Sequence, residues 1–253
     1  MTTPLIEMRH IEKSYGSIRA LRGVNFHVDT AETVGLIGDN GAGKSTLIKI
    51  LTGFVRADHG QIILNGKEIQ FASPREAREN GIETVYQEQA LADDLSVARN
   101  LFMGKEPIKS YGPFKLLDIE TMRSESRKML AELRLNVDID KETRYCSGGE
   151  RQGISIARAI YFNASVVILD EPTNALGVAA VQRVLDLIRE LKQRGIAVIF
   201  ISHNLYHVHL VSDRIVTLVR GTKIKDAPKN EVSVEELNDI LMLRSGIEQV
   251  STE

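Results

Sequence analysis

The feature that most constrains this chain is Gly38-Asp39-Asn40-Gly41-Ala42-Gly43-Lys44-Ser45, which sits between two apolar segments. Thr33-Val34-Gly35-Leu36-Ile37 before it reads as a buried strand, and Thr46-Leu47-Ile48-Lys49-Ile50-Leu51 after it starts a helix. Strand, glycine-rich turn and helix must therefore follow one another. Gly38, Gly41 and Gly43 let successive backbone N–H groups converge on one anion without side-chain clash. The helix beyond them turns the positive end of its dipole toward the same point. This is the P-loop spacing, in which Lys44 would reach the β- and γ-phosphates of a nucleoside triphosphate and the Ser45 hydroxyl would bind Mg²⁺. Thr46 would touch the α-phosphate, and Asp39, Asn40 and Ala42 complete the cradle. With glycine near ~7% of residues, chance produces the spacing in roughly one chain in a hundred of this length, and the strand-then-helix context makes chance rarer still.

A second run, Val166-Val167-Ile168-Leu169-Asp170-Glu171-Pro172, ends in two carboxylates. Alone, it is equally well an ordinary strand end with two solvated acids. Downstream of a phosphate loop, it reads as a buried parallel strand delivering acids to an active edge. Asp170 would hold Mg²⁺, through a water, and Glu171 would orient and deprotonate an attacking water. Other short β-branched and aliphatic runs (6–11, 24–28, 61–64, 82–86, 197–202 and 214–220) alternate with helical patterns, which is the signature of an α/β protein. Ser73 and Pro74 open one helix as cap and first residue.

From 91 to 159 the strand-like runs vanish. Helical patterns at 98–102 and 122–133 flank a Pro- and Gly-bearing stretch from Pro107 to Pro113. The expected organisation is one domain over 1–253. An α/β core covers 1–90 and 160–230, a helical subdomain is inserted at 91–159, and a C-terminal helix and tail fill 231–253.

Composition limits the partners. A net charge of −2 gives no global reason to bind nucleic acid or an anionic membrane. The single cysteine, Cys146, cannot form an internal disulfide, which suits a reducing compartment. No run approaches the ~18–20 apolar residues of a membrane-spanning helix, and residues 1–7 lack the basic start and apolar stretch of a signal peptide. Any membrane contact is expected to run through partner proteins.

The segment Cys146-Ser147-Gly148-Gly149-Glu150-Arg151-Gln152, followed by Ile156-Ala157-Arg158-Ala159, resembles the LSGGQ signature of ABC ATPases. Gln87 looks like that family's Q-loop glutamine, His203 like its H-loop histidine, and Tyr15 like the aromatic that stacks on adenine. The match runs from about residue 6 to 221. The resemblance implies a P-loop NTPase (RecA-like) core with an inserted α-helical subdomain and an antiparallel β edge. It implies two chains paired head to tail, with each ATP and Mg²⁺ held between one chain's P-loop and the other's Ser147, Gly148 and Gly149. His203 would contact the γ-phosphate, and Gln87 would sense Mg²⁺ and the attacking water near the contact with a membrane subunit.

Asp39-Asn40, Ser73-Pro74-Arg75-Glu76-Ala77, Tyr86-Gln87-Glu88-Gln89 and Ser202-His203-Asn204 look like the monosaccharide (ribose, xylose and fructose-type) importers of bacteria, most closely the single-domain fructose-type ATPases. That branch implies two transmembrane permease subunits and, indirectly, a periplasmic or extracellular sugar-binding protein. It implies a peripheral position on the cytoplasmic face of the inner (plasma) membrane, and no nucleic acid partner. The competing classes are a soluble ABC ATPase uncoupled from transport and a regulatory module with little hydrolysis. Four positions depart from the family pattern. Cys146 stands for Leu, Glu150 for Gln, Gly153 for Arg, and Gly177 for an Asp that helps tie the two sites together. The carboxylate of Glu150 is expected to favour the helix dipole but to repel a nearby phosphate, slowing turnover. His207 and His209, two apart on a helix, do not share a face and suit metal ligation poorly.

Overall fold

The computed structural model describes residues 3–85, 91–161, 164–174 and 176–245. The strands are β1 (Ile6–Tyr15), β2 (Ile18–Val28), β3 (Thr33–Ile37), β4 (His59–Leu64), β5 (Lys67–Ile69), β6 (Ile82–Val85), β7 (Ile108–Tyr111), β8 (Phe114–Leu117), β9 (Val166–Asp170), β10 (Ala197–Ile201), β11 (Arg214–Val219) and β12 (Thr222–Pro228). The helices are α1 (Lys44–Leu51), α2 (Pro74–Glu79), α3 (Val97–Phe102), α4 (Ile119–Glu132), α5 (Gly148–Tyr161), α6 (Val178–Gln193), α7 (Leu205–Val211) and α8 (Val234–Ser245). Two compact units result: Met1–Thr84 with Ser165–Glu171 and Ile188–Glu253, and Val85–Ala164 with Pro172–Leu187.

The first unit contains two sheets. One is antiparallel, in the order β2-β1-β4-β5; the other has six strands in the order β12-β11-β3-β10-β9-β6. In the larger sheet β3 pairs in parallel with β10 and β11, β10 pairs in parallel with β9, and β12 closes one edge antiparallel to β11. Every residue of β3 and β10 is buried, as expected of parallel strands covered on both faces. This explains why both read as unbroken apolar runs. The first 6 residues of the β1 pattern were visible in sequence; the strand continues to Tyr15 through register shifts against β2, where the alternation breaks.

Gly35 is where α7 meets β3. A Cβ there would lie 2.3 Å from Val208 Cγ1 and 2.7 Å from Ser212 Oγ, so only glycine lets the helix approach. At one end of the same sheet Arg214 joins separate elements. It donates to Glu32 at 2.7 Å, to Asp226 at 2.7 Å and to His27 O at 2.6 Å, and these charges are mostly buried but mutually paired.

In the second unit α3, α4 and α5 pack together around Val97, Leu101, Met129, Leu130 and Ile154. The Phe102 and Tyr161 rings meet edge to face at 5.4 Å. This unit also contains a feature the sequence did not announce. β7 and β8 form an antiparallel hairpin, with Ile108 opposite Leu117 and Tyr111 opposite Phe114, inside the stretch expected to be free of strands. Each strand has four residues, lysines interrupt both, and all of β8 is exposed. No buried face exists to write a period-two pattern. Ser96 caps α3 and Asp118 caps α4 through side-chain oxygens that accept from Arg99 N and Thr121 N.

Replacing Gly35 with Ala should overpack the β3–α7 contact and cost about 1–3 kcal/mol. Denaturant unfolding of the full chain measures this, and an unchanged midpoint would contradict the close approach.

Candidate functional site

The phosphate loop leaves the end of β3 and closes on α1. Gly43, the residue before the helix, has φ 105°, and a Cβ there would lie 2.7 Å from Ala20 O. Both conformation and space therefore exclude a side chain. The loop is braced from outside: Gly221 N–H donates to Ala42 O at 3.0 Å, and Arg22 N–H donates to Gly221 O at 2.8 Å. Lys44 is buried, and its ammonium donates to Gly38 O at 2.6 Å and Asp39 O at 3.1 Å. Burial pushes the Lys44 ammonium below the usual lysine range, and the carboxylates of Glu171, Asp170 and Asp39 act against that. The Ser45 hydroxyl is exposed.

A cavity of about 630 Å³ opens over this loop, a size suited to a nucleotide. Its wall carries Tyr15, Asp39, Asn40, Gly41, Ala42, Gly43, Lys44, Ser45 and Thr46, so the structure brings Tyr15 to the loop. It also brings Arg19, Arg22 and Arg220, which sequence reasoning missed. No local motif marks them; Arg19 and Arg22 arrive on β2, and Arg220 in the β11–β12 turn. The Tyr15 ring is 46% exposed, with the Lys13 ammonium 5.6 Å from its centroid.

Asp170 ends β9 and Glu171 follows it. Ile201 pairs with Asp170 across β10 and β9, which puts the two strand ends at one level. Burial raises the Asp170 carboxyl above the usual range; the neighbouring Glu171 adds to this, and Lys44 and Lys49 oppose it. A buried acid in that condition favours a cation beside it. An exposed Ser45 hydroxyl and one such carboxylate are a donor set that fits Mg²⁺, which commonly takes one or two carboxylates and completes its shell with phosphate and water. Glu171 has φ 51°, a left-handed conformation that is costly for a non-glycine residue and persists only when neighbours hold it. Its N–H donates to Ile201 O at 2.9 Å, and Oε2 lies 2.9 Å from His203 Nδ1. The structure thus brings Glu171 and His203 into contact. Gln87 lies outside the described residues.

The signature segment belongs to the second unit. Buried Asn100 organises the approach to it: Oδ1 accepts from Ala92 N at 2.8 Å, and Nδ2 donates to Ala92 O and Leu95 O at 3.0 and 3.2 Å. Thr143 Oγ1 donates to Ala92 O at 2.8 Å, and Arg151 bridges Asp93 and Thr143 O. Ser147 then caps α5 reciprocally. Its Oγ accepts from Glu150 N at 3.3 Å while its N–H donates to Glu150 Oε2 at 2.6 Å. This S-x-x-E pairing is a capping box. Burial pushes the Glu150 carboxyl up, but the hydrogen bonds from Ser147 and the nearby Lys141 ammonium, 3.7 Å away, outweigh it and hold the acid below its ordinary range.

The other departures have physical readings. Cys146 is buried, and burial raises its thiol above the ordinary range, so it stays protonated and packs as a small hydrophobe. A Cβ at Gly153 would lie 2.8 Å from the Leu135 methyl carbons, so the small residue seats α5 against Leu135. Gly177 O accepts from Ala180 N and Val181 N, which places this residue at the start of α6 with open space where a side chain would project. His209 Nε2 lies 3.1 Å from Lys229 O and 3.0 Å from Val232 O. Both are acceptors, so that nitrogen carries a proton and is no metal ligand.

Comparison with known proteins follows the same lines. Residues 21–174 match the family described as ABC transporter. The chain is 42% identical to the xylose/arabinose import ATP-binding protein XylG of Sulfolobus acidocaldarius, over 94% of this chain and 93% of that protein. It is 47% identical to the fructose import ATP-binding protein FrcA of Rhizobium meliloti, over 84% of each. Against the ribose import ATP-binding protein RbsA of Bacillus subtilis, at 37% identity, it spans 46% of the relative's length. Among solved structures it is similar to a nucleotide-free ATP-binding cassette from an ABC transporter (TM-score 0.82, 27% identity, 99% and 100% of the two chains). A cassette in its ADP conformation matches with TM-score 0.81 and 28% identity over 95% of each chain.

Two variants test the cap. Glu150→Ala should destabilise by about 1 kcal/mol, while Glu150→Gln, which can close the same box, should not. Because the folded-state carboxyl is held low, its contribution is present above the ordinary Glu range and is lost as pH falls through the lowered value. Equal melting of the wild type and the Ala variant at neutral pH would refute the cap.

Proposed function

We propose that this chain, which belongs to the ABC transporter family as an ATP-binding subunit that hydrolyses ATP, energises import of a monosaccharide. The observation that carries the catalytic part is the contact of Glu171 with His203 at the strand ends beside Lys44. The sugar part rests on the likeness to xylose/arabinose and fructose import ATP-binding proteins along most of both chains.

Backbone N–H groups of Gly41 to Ser45 and the Lys44 ammonium would hold the β- and γ-phosphates, with Tyr15 stacked on the base. Mg²⁺, held by the Ser45 hydroxyl and Asp170, would supply charge neutralisation at those phosphates. Glu171 takes a proton from the attacking water as its oxygen bonds to the γ-phosphorus. The bond from that phosphorus to the β–γ bridging oxygen breaks, and ADP leaves with the electron pair. The proton on Glu171 then passes to solvent. His203, 68% exposed, reaches the γ-phosphate oxygens, and Gln87 reports the state of the site.

Ser147, Gly148 and Gly149 complete the site of a second copy, so turnover requires a head-to-tail homodimer. The dimer docks on two permease subunits at the cytoplasmic face of the membrane, and a sugar-binding protein outside feeds them. Among the described residues no helix is long and apolar enough to cross a membrane. The inserted helical unit and the α/β core belong to one ABC domain.

Glu171→Gln should abolish turnover by at least 10²-fold while ATP binding persists; wild-type turnover in that variant would remove the base assignment. Co-purification with detergent-solubilised membrane proteins is expected, and recovery only as a soluble chain would favour an ATPase uncoupled from transport. Gly177→Asp should be accommodated in the open space at the start of α6 and raise the cooperativity of ATP hydrolysis. An unaltered Hill coefficient would show that residue 177 does not set communication between sites.

A further inference from the structure

Glu171 is held by three consecutive residues at the end of β10. Its N–H donates to Ile201 O, and its Oε2 faces Ser202 Oγ at 3.4 Å and His203 Nδ1 at 2.9 Å. The two side chains differ in freedom. Ser202 is 1% exposed, whereas the His203 side chain is 68% exposed.

The Ser202 hydroxyl is itself oriented. Its oxygen accepts from Asn204 N–H at 3.1 Å. Asn204 is fixed in turn as the cap of α7, its Oδ1 accepting from His207 N–H at 3.1 Å. With its oxygen already accepting, the hydroxyl directs its single proton at the carboxylate. Among the described residues, both side-chain anchors fall on Oε2, and neither engages Oε1. The 3.4 Å separation is long, and hydrogen bonds of this kind tighten once substrate fills the site.

We propose that Ser202 is a positioning residue for the hydrolytic step, holding Oε2 of Glu171 when His203 turns to the γ-phosphate so that Oε1 stays aimed at the attacking water. This rests on the reading of Glu171 as the base. His203 has two partners to serve, the carboxylate and the phosphate, and it cannot hold both with the same ring nitrogen. The buried Ser202 hydroxyl accepts from Asn204 N–H and gives its one proton to the carboxylate. The strained backbone of Glu171, with φ 51°, needs such a second anchor whenever the imidazole departs.

The test uses the full chain, steady-state ATP hydrolysis, and ATP affinity measured separately with a fluorescent ATP analogue. Ser202→Ala should lower kcat about tenfold, with KM and nucleotide affinity unchanged. Ser202→Thr, which restores the hydroxyl, should recover kcat. If the Ala variant does not fold, Ser202→Cys carries the test: nearly isosteric and a weak donor, it should lower kcat and leave affinity in place. Wild-type kcat in either the Ala or the Cys variant overturns the proposal. So does a parallel loss of kcat and affinity that Thr fails to restore, because that pattern marks a purely structural hydroxyl. Glu171→Gln separates the two readings. If it still turns over, the base assignment fails and the proposal with it. If it is inactive while Ser202→Ala is fully active, only the proposal fails.

Discussion

The shared register of three parallel strands, β9, β10 and β3, sets where every reactive group of the first unit can stand. Ile201 pairs with Leu36 on one side and Asp170 on the other. The chain therefore leaves all three strands at one level, with Gly38 after β3, Glu171 after β9 and Ser202 after β10. A one-residue slip of any strand would exchange its side chains between two faces that are both packed, so Val, Ile and Leu would meet neighbours shaped for other residues. The register is thus enforced by packing on both faces, and that packing is what places a carboxylate, a hydroxyl and an imidazole within reach of each other.

The charges at those strand ends are poorly solvated and imperfectly matched. Burial disfavours the charged forms of both Lys44 and Asp170, and each is the other's partial remedy. Lys44 directs two of its three donors to Gly38 O and Asp39 O, which keeps the loop closed around it. A buried charge with incomplete compensation is costly. A triphosphate would supply the negative charge that the Lys44 ammonium lacks.

The signature segment solves a smaller problem by local means. Glu150, which as a carboxylate seemed an obstacle to a phosphate, is engaged by Ser147 N–H and lies beside Lys141. Its charge is spent largely on capping α5. The segment before it is held by the Asn100, Thr143 and Arg151 network. The carboxylate at 150 is therefore engaged in helix capping, a role that a Gln at the same position can also fill.

The sequence by itself determined the phosphate loop, the acid pair, the histidine after β10 and the order of the motifs. These depend on short-range demands: glycine where φ is positive, a helix start after Lys44, and apolar runs for strands buried on both faces. The tertiary structure alone decided the contact of Glu171 with His203 and Ser202 and the arrival of Arg19, Arg22 and Arg220 beside the loop. It also decided the β7–β8 hairpin, whose exposed four-residue strands carry no burial pattern. The physical reason is the same in each case. Conformational limits act over a few residues and leave a local trace, whereas contacts between chain segments far apart are set by packing and register, which no short stretch of sequence records.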